Sequence, residues 1–353
     1  MNPGIDAPIA SAPPDSEAAL EAYLSRPTPG TVGALADLDG DLLILGAGGK
    51  LGFSLANLAR RSLEDAGRSQ RRVIAVSRFG DAASRAAFEA VGIQTLASDL
   101  LADGALDALP DAPNVVYLVG MKFGSTSDPG ATWAMNTHLP GLVARRFRRS
   151  RIVALSTGNV YPLVDIRSGG SLETDPPGPI GEYAQSCLGR ERMLLYGSQR
   201  EGTPVTLIRL NYANDLRYGV LTDLAVKVAR GETVDLTMGC VNVIWQGDAN
   251  AAILQSFGLC ASPPAILNVS GPETASVRWL ATRLSELLGA SRPVFVGEEA
   301  QTALLSNCAK HHALFGYPRV PLGRLLEWTA AWVAQGGRLL QKPTGFQKRD
   351  GTF

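Results

Sequence analysis

The chain has 353 residues, 45% of them hydrophobic and 19% charged, which suits a globular protein with a real core in one large domain or two small ones. A formal net charge of +0 removes any global pull toward nucleic acid or a membrane surface, so no such partner is expected. The four cysteines, Cys187, Cys240, Cys260 and Cys308, show no paired spacing, which argues against a disulfide framework and for a reducing, cytoplasmic setting.

Residues 1–6 lack the basic start and apolar stretch of a secretory signal. No apolar run approaches the about 20 residues of a membrane helix. Residues 1–40 are rich in Ala, Pro and Ser and read as an N-terminal extension. Within it, residues 16–24 predict a short helix, with Pro13-Pro14 before it and Pro27 and Pro29 after it. The extension either packs on the main domain or stays partly mobile. From residue 41 strand and helix patterns alternate: strand 41–45, helix 51–61, strand 72–77, helix 82–91, strand 95–97, strand 114–120, helix 132–147, strand 151–156, helix 182–201 and strand 204–210. This order predicts an α/β fold, a doubly wound parallel sheet with helices on both faces and a ligand at the C-terminal strand ends. Residues 266–269 add a strand, and 277–288 and 322–335 two amphipathic helices. The run Arg145-Arg146-Phe147-Arg148-Arg149 reads as a solvated helix end.

Leu43-Ile44-Leu45 runs into Gly46-Ala47-Gly48-Gly49-Lys50-Leu51-Gly52 and then into a helix. Gly46 permits a sharp turn, Gly48 or Gly49 lets the backbone approach a pyrophosphate, and Gly52 lets the helix sit close on the strand. The helix start, with Lys50 and Leu51, turns free N–H groups and a positive dipole end toward the phosphates. Strand, loop and helix in that order mark a dinucleotide-binding loop; a P-loop would need a longer spacing before the lysine and a Ser or Thr after it. The second strand ends in Ser77-Arg78, where an NAD site usually has an acidic residue. A hydroxyl beside a guanidinium suits a phosphate, so NADP is favoured over NAD. Asp99-Leu100 suits the adenine ring, and Val119-Gly120, at the end of the fourth strand, the nicotinamide side. The expected division is a dinucleotide-binding domain of residues 41–210 and about 238–270, with a smaller C-terminal substrate-binding domain of 211–237 and 271–353.

Ser156-Thr157-Gly158-Asn159-Val160-Tyr161 closes the strand at 151–156, and Tyr183 opens the next long helix 26 positions after Thr157. With the loop at Gly46, Gly49 and Gly52, Asp99-Leu100, Asn136, Tyr183-Ala184, Glu191, Arg209-Leu210-Asn211 and Asn268-Val269-Ser270-Gly271, the chain resembles the extended short-chain dehydrogenase/reductases, the NAD-dependent epimerase/dehydratase family. The resemblance covers most of residues 41–335. It implies a Rossmann sheet and a homodimer packed through surface helices, including the helix of Tyr183. It also implies a nicotinamide cofactor near Asn136, Tyr183, Cys187 and Asn211. Thr157 would hold a substrate hydroxyl or carbonyl, and Tyr183 would move its proton.

One position departs from that pattern. The family's Tyr-x-x-x-Lys is Tyr183-Ala184-Gln185-Ser186-Cys187 here. A phenol titrates at about 10 and needs help to act as a base near neutrality. The family lysine lowers that value and holds the nicotinamide ribose. A neutral Cys187 does neither, and a thiolate pushes the wrong way. Three explanations stand open: another cation replaces the lysine, the tyrosine is weakly activated and slow or favours high pH, or the protein holds a nucleotide without net redox chemistry. Only six lysines occur, and the two in the first 200 residues are Lys50 and Lys122. Lys122 is the candidate replacement, although it also reads as a solvent-exposed loop lysine. Arg190 shares the Tyr183 face, but at two helical turns it is expected to lie out of reach.

Two further departures concern the substrate. The Asp-Glu pair of the family's dehydratases is Gly158-Asn159, which argues against sugar dehydration. Residues 239–245 lack the arginine with which nucleotide-sugar enzymes hold a diphosphate, although Arg217 offers a substitute. The expectation is therefore an NAD(P)-dependent oxidoreductase or epimerase-type enzyme acting on a small carbohydrate-like alcohol or ketone rather than a nucleotide sugar. The alternative is a dinucleotide-binding sensor or scaffold. No metal is expected, because Cys308-Ala309-Lys310-His311-His312 lacks further ligands for a tetrahedral site. His138, Trp328 and Trp332 read as packing residues.

Overall fold

The computed structural model describes residues 12–342 and 344–352, so the sequence reading of residues 1–6 lies outside the described residues. Seven strands build the central sheet: β1 (Leu42–Leu45), β2 (Val73–Ser77), β3 (Gln94–Ala97), β4 (Asn114–Tyr117), β5 (Arg151–Thr157), β6 (Val205–Leu210) and β7 (Ala265–Val269). Their order is β3-β2-β1-β4-β5-β6-β7 and every pairing is parallel. The chain reverses its direction of travel across the sheet between β1 and β4. The loops after these two strands therefore open a crevice at the C-terminal edge.

The β1 sequence shows why the sheet is buried on both sides. All four of its residues are covered. Leu42 and Ile44 pack on one face with Val73, Ala75 and Val153, while Leu43 and Leu45 pack on the other with Ile74, Val76, Ile152 and Ala154. The helices are α1 (Glu17–Leu24), α2 (Pro29–Ala36), α3 (Gly52–Asp65), α4 (Ala82–Ala90), α5 (Pro129–Trp133), α6 (Leu139–Arg146), α7 (Gly181–Glu201), α8 (Val220–Ala229), α9 (Gln246–Gln255), α10 (Val277–Leu288), α11 (Ala309–Phe315) and α12 (Leu322–Ala334). Residues of α2, α3 and α9 fill the first face, and residues of α6 and α7 the second. A further core gathers Leu20 and Leu24 of α1, Leu224 of α8, Leu280 and Leu284 of α10, and Trp328 and Trp332 of α12.

The described part of the N-terminal extension is docked. Thr28 and Thr31 form a reciprocal cap at the start of α2. Ser25 accepts from Asn57 and Arg61 of α3 at 3.0 Å each, and Ser62 donates to Thr31 at 3.0 Å. The helix expected over 132–147 is broken into α5, a π-helical turn at Ala134–His138, and α6. Pro140 has no N–H to give the carbonyl four residues back, and the wider turn accommodates that loss. The strand expected to reach residue 120 stops at Tyr117, and beyond it the Met121 backbone bonds the Asn136 side chain. The basic run is not simply solvated: Arg146 donates to the carbonyls of Leu106 and Leu109 and pairs with Asp111 at 2.6 Å. Among the described residues no helix is long and apolar enough to cross a membrane.

Candidate active site

The loop after β1 is shaped by glycine. Gly46 has φ +86°, and a Cβ there would sit 2.8 Å from the Val119 nitrogen after β4. A Cβ on Gly52 would run into the Ala47 carbonyl, so only glycine lets α3 close onto the loop. No side chain caps α3 at Leu51. Its positive end is left for an anion, and the loop therefore fits a dinucleotide pyrophosphate. Gly48 and Gly49 are exposed at the loop tip, with Gly48 over the Ser77 hydroxyl. Arg78 is exposed at the end of β2, and Asp99 is exposed with its carboxylate accepting from Leu101 N at 3.1 Å. Leu100 lies apart from this group, in the core under the sheet with Leu106 and Leu109. Lys50 turns away from the loop, its Nζ 3.0 Å from the centre of the Tyr218 ring. Burial, with repulsion from Lys122 and Lys342, pulls its pKa down to about 7.

Thr157 ends β5, and its hydroxyl accepts from the Asn159 backbone at 3.2 Å and side chain at 3.0 Å. The Tyr183 phenol, two residues into α7, lies near enough to both Thr157 and Cys187 for each to act on its acidity. Cys187 is completely buried against Val160 and Tyr161. Burial and then Cys187 hold Tyr183 well above the ordinary tyrosine range, while Arg190 and Thr157 pull the other way. Burial also raises the Cys187 thiol, which stays neutral near pH 7. Lys122 is not a solvent-exposed loop lysine. It is half-buried, with Nζ 5.8 Å from the Tyr183 ring centre and donating to the Thr344 carbonyl at 3.1 Å. Burial lowers its pKa to about 8, against the opposing pull of Cys187 and Asp223.

Arg190 acts on Tyr183 through charge, and its direct bonds go elsewhere. Its buried guanidinium sits beneath Gly120, donating to the Leu155 carbonyl at 2.6 Å and to Asn136 Oδ1 at 3.0 Å. Asn136 is wholly buried in the π-helical turn, where its amide grips the Met121 backbone and the Ser186 hydroxyl. It holds the loop after β4 against α7. Asn211 is buried beside Gly158 and donates to Asn242 at 2.9 Å. Glu191 of α7 accepts from Arg209 at 2.7 Å and from Ser156 at 2.6 Å, which locks α7 to β5 and β6. The sequence carried a signal for Arg190, seven positions after Tyr183 on one helical face. It carried none for the C-terminal segment, whose Gly345, Lys348 and Arg349 line the same cleft as Lys122, Asn159 and Tyr161.

The model of the NAD dependent epimerase/dehydratase family matches residues 42–234, more than half of the chain. The chain belongs to this family. No curated protein sequence matches it. Solved structures of the same fold include MoeE5 in complex with UDP-glucose and NAD, with TM-score 0.67 and 21% identity over 84% of this chain and 99% of that one. The UDP-glucose 4-epimerase of Thermotoga maritima with UDP-glucose has TM-score 0.69 and 17% identity over 84% and 99%. The UDP-glucuronic acid 4-epimerase of Bacillus cereus, with UDP-glucuronic acid and NAD, has TM-score 0.68 and 18% identity over the same 84% and 99%. Identity this low establishes the shared fold. These complexes also overturn the sequence expectation against a nucleotide sugar, because structures of this fold hold that class of ligand. One absent arginine in residues 239–245 is too little to exclude it.

Proposed function

We propose that this NAD-dependent epimerase-type enzyme acts on a nucleotide sugar, with Thr157 and Tyr183 as its catalytic pair. The observation that carries the reading is the juxtaposition of Thr157, at the end of β5, with Tyr183, at the start of α7, at the C-terminal edge of the sheet. A nicotinamide bound there would accept and return a hydride. Thr157 holds the reacting alcohol or ketone oxygen. Tyr183 takes the hydroxyl proton as the carbon is oxidised and gives it back on reduction. Lys122 and the buried Arg190 supply positive charge in place of the family lysine. Gly46, Gly48, Gly49, Leu51, Gly52, Val119 and Gly120 cradle the cofactor, with Asp99 on its adenine side. Ser77 and the exposed Arg78 also suit the phosphate of NADP. Residues 211–237 and 271–353 form the substrate-binding part, and the working unit is a cytoplasmic homodimer built partly through α7.

The test is conversion of UDP-glucose and UDP-glucuronic acid by NAD-loaded protein and by its Tyr183→Phe variant. Epimer formed by the native chain and lost in the variant supports the reading. Equal conversion by both removes Tyr183 from the chemistry. Tight NAD binding without conversion of either sugar leaves a dinucleotide-binding scaffold.

A further inference from the structure

After α12 the chain runs back across the molecule into the crevice beside Tyr183. Thr344 donates its backbone N–H and its hydroxyl to the Asp223 carboxylate of α8, at 2.7 and 2.6 Å. Its carbonyl accepts from Lys122 Nζ at 3.1 Å. Phe346 is buried in the core of α8, α10 and α12. Arg349 donates to the Thr302 carbonyl at 2.7 Å and to its hydroxyl at 2.6 Å. The segment then lays Gly351 against Ile180 and Gly181, at the start of α7 and two residues before Tyr183. Gly181 and Gly351 both have positive φ, +80° and +73°, and a Cβ on either would run into the other strand of backbone. A contact this close requires glycine at both positions, though they lie far apart in sequence.

The docked segment decides what the cleft can hold. The space left between Lys122, Asn159, Tyr161, Tyr212, Lys348 and Arg349 is about 30 Å³. That suits about two waters, whereas small-molecule sites measure about 300–1,000 Å³. The space left beside the segment is smaller than a nucleotide sugar needs.

We propose that residues 344–352 are an intramolecular plug of the substrate cleft, so that the docked segment and a nucleotide sugar exclude one another. The inference rests on the assignment of this cleft to that substrate. Lys122 is the point of competition: docking ties its ammonium to the Thr344 carbonyl, and undocking breaks that bond beside Tyr183. The experiment uses the full NAD-loaded chain and its Gly351→Ala and Arg349→Ala variants, with UDP-glucose and UDP-glucuronic acid as probes. Calorimetry reads affinity, and hydrogen exchange at the Thr344, Phe346 and Lys348 amides reads docking. Gly351→Ala is expected to expose these amides and to tighten probe binding by about tenfold or more, because the competent state is no longer a minor one. A saturating probe is expected to expose the same amides in the native chain. Equal affinity despite exposed amides overturns the plug. Weaker binding by the variants also overturns it, since the segment is then a wall of the site. Should neither variant undock the segment, the native chain decides, and protection that persists under saturating probe overturns the plug. Failure of every form to bind either probe overturns the substrate reading and the plug with it, a result distinct from equal binding by all.

Discussion

Replacing Cys187 with lysine returns a cation one helical turn from Tyr183. Positions four apart on a helix place their Cβ atoms about 5–6 Å apart. At an effective dielectric constant of about 20, unit charges about 5 Å apart interact by about 3 kcal/mol, which is about 2 units of pKa. The same change removes the sulfur that raises Tyr183. Packing opposes it, because Cys187 is fully buried against Val160 and Tyr161 and added bulk costs about 1–3 kcal/mol. Cys187→Met carries the bulk without the charge and serves as the control. The assay is the pH dependence of kcat/KM on NAD-loaded protein, with thermal denaturation alongside. The ascending limb, set by ionisation of Tyr183, should move down by about 2 units in Cys187→Lys. It should stay in place in Cys187→Met. An unmoved limb in a folded Cys187→Lys protein refutes the claim that position 187 governs the acidity of Tyr183.

Lys122→Met should cut turnover below about pH 8, where the Lys122 ammonium is charged, and leave the rate above that pH less affected. Because the folded pKa lies below the unfolded one, the cost of burying Lys122 falls on stability below about pH 8 and is relieved as the pH rises toward its ordinary value. Lys122→Met should therefore not lower Tm at pH 7; a lower Tm with unchanged turnover contradicts both statements. Gly52→Ala should weaken NAD binding by about tenfold or more, since a Cβ forces the Ala47 carbonyl and the loop to move at a cost of about 1–3 kcal/mol; calorimetry with unchanged affinity contradicts it. Glu191→Ala strands Arg209, which is 3% exposed, and should destabilise the fold by about 3–5 kcal/mol in urea denaturation. Arg78→Ala should reduce affinity for NADP and spare NAD, and equal losses for both would remove the phosphate role.

The sheet was legible because a continuous apolar run such as Leu42–Leu45 has one stable use, burial on both faces of a parallel sheet. The glycine loop was legible because Gly46 and Gly52 meet local backbone constraints that sequence order displays. Thr157 and Tyr183 were singled out by the family resemblance, and they sit at the end of a strand and the start of a helix. Leu100 was misplaced because its neighbour Asp99 faces solvent while it faces the core, an alternation that a dipeptide does not reveal. Arg190 needed knowledge of what lies beneath α7, namely the Leu155 carbonyl and the π-helical turn that carries Asn136. The C-terminal segment has no apolar period of its own, and its position depends on Gly181 meeting Gly351 across the fold. The expectation against a nucleotide sugar failed because it rested on one missing arginine.

The measurement to make is a rapid-mixing experiment on NAD-loaded protein with UDP-glucose and with UDP-glucuronic acid, following absorbance of the reduced nicotinamide and the sugar product, in the native chain and in Tyr183→Phe. A transient reduced-nicotinamide signal and an epimerised sugar from the native chain, slowed by about 10²-fold or more in Tyr183→Phe, are the predicted result. Identical rates in the two proteins, or bound NAD that neither sugar ever reduces, would contradict it.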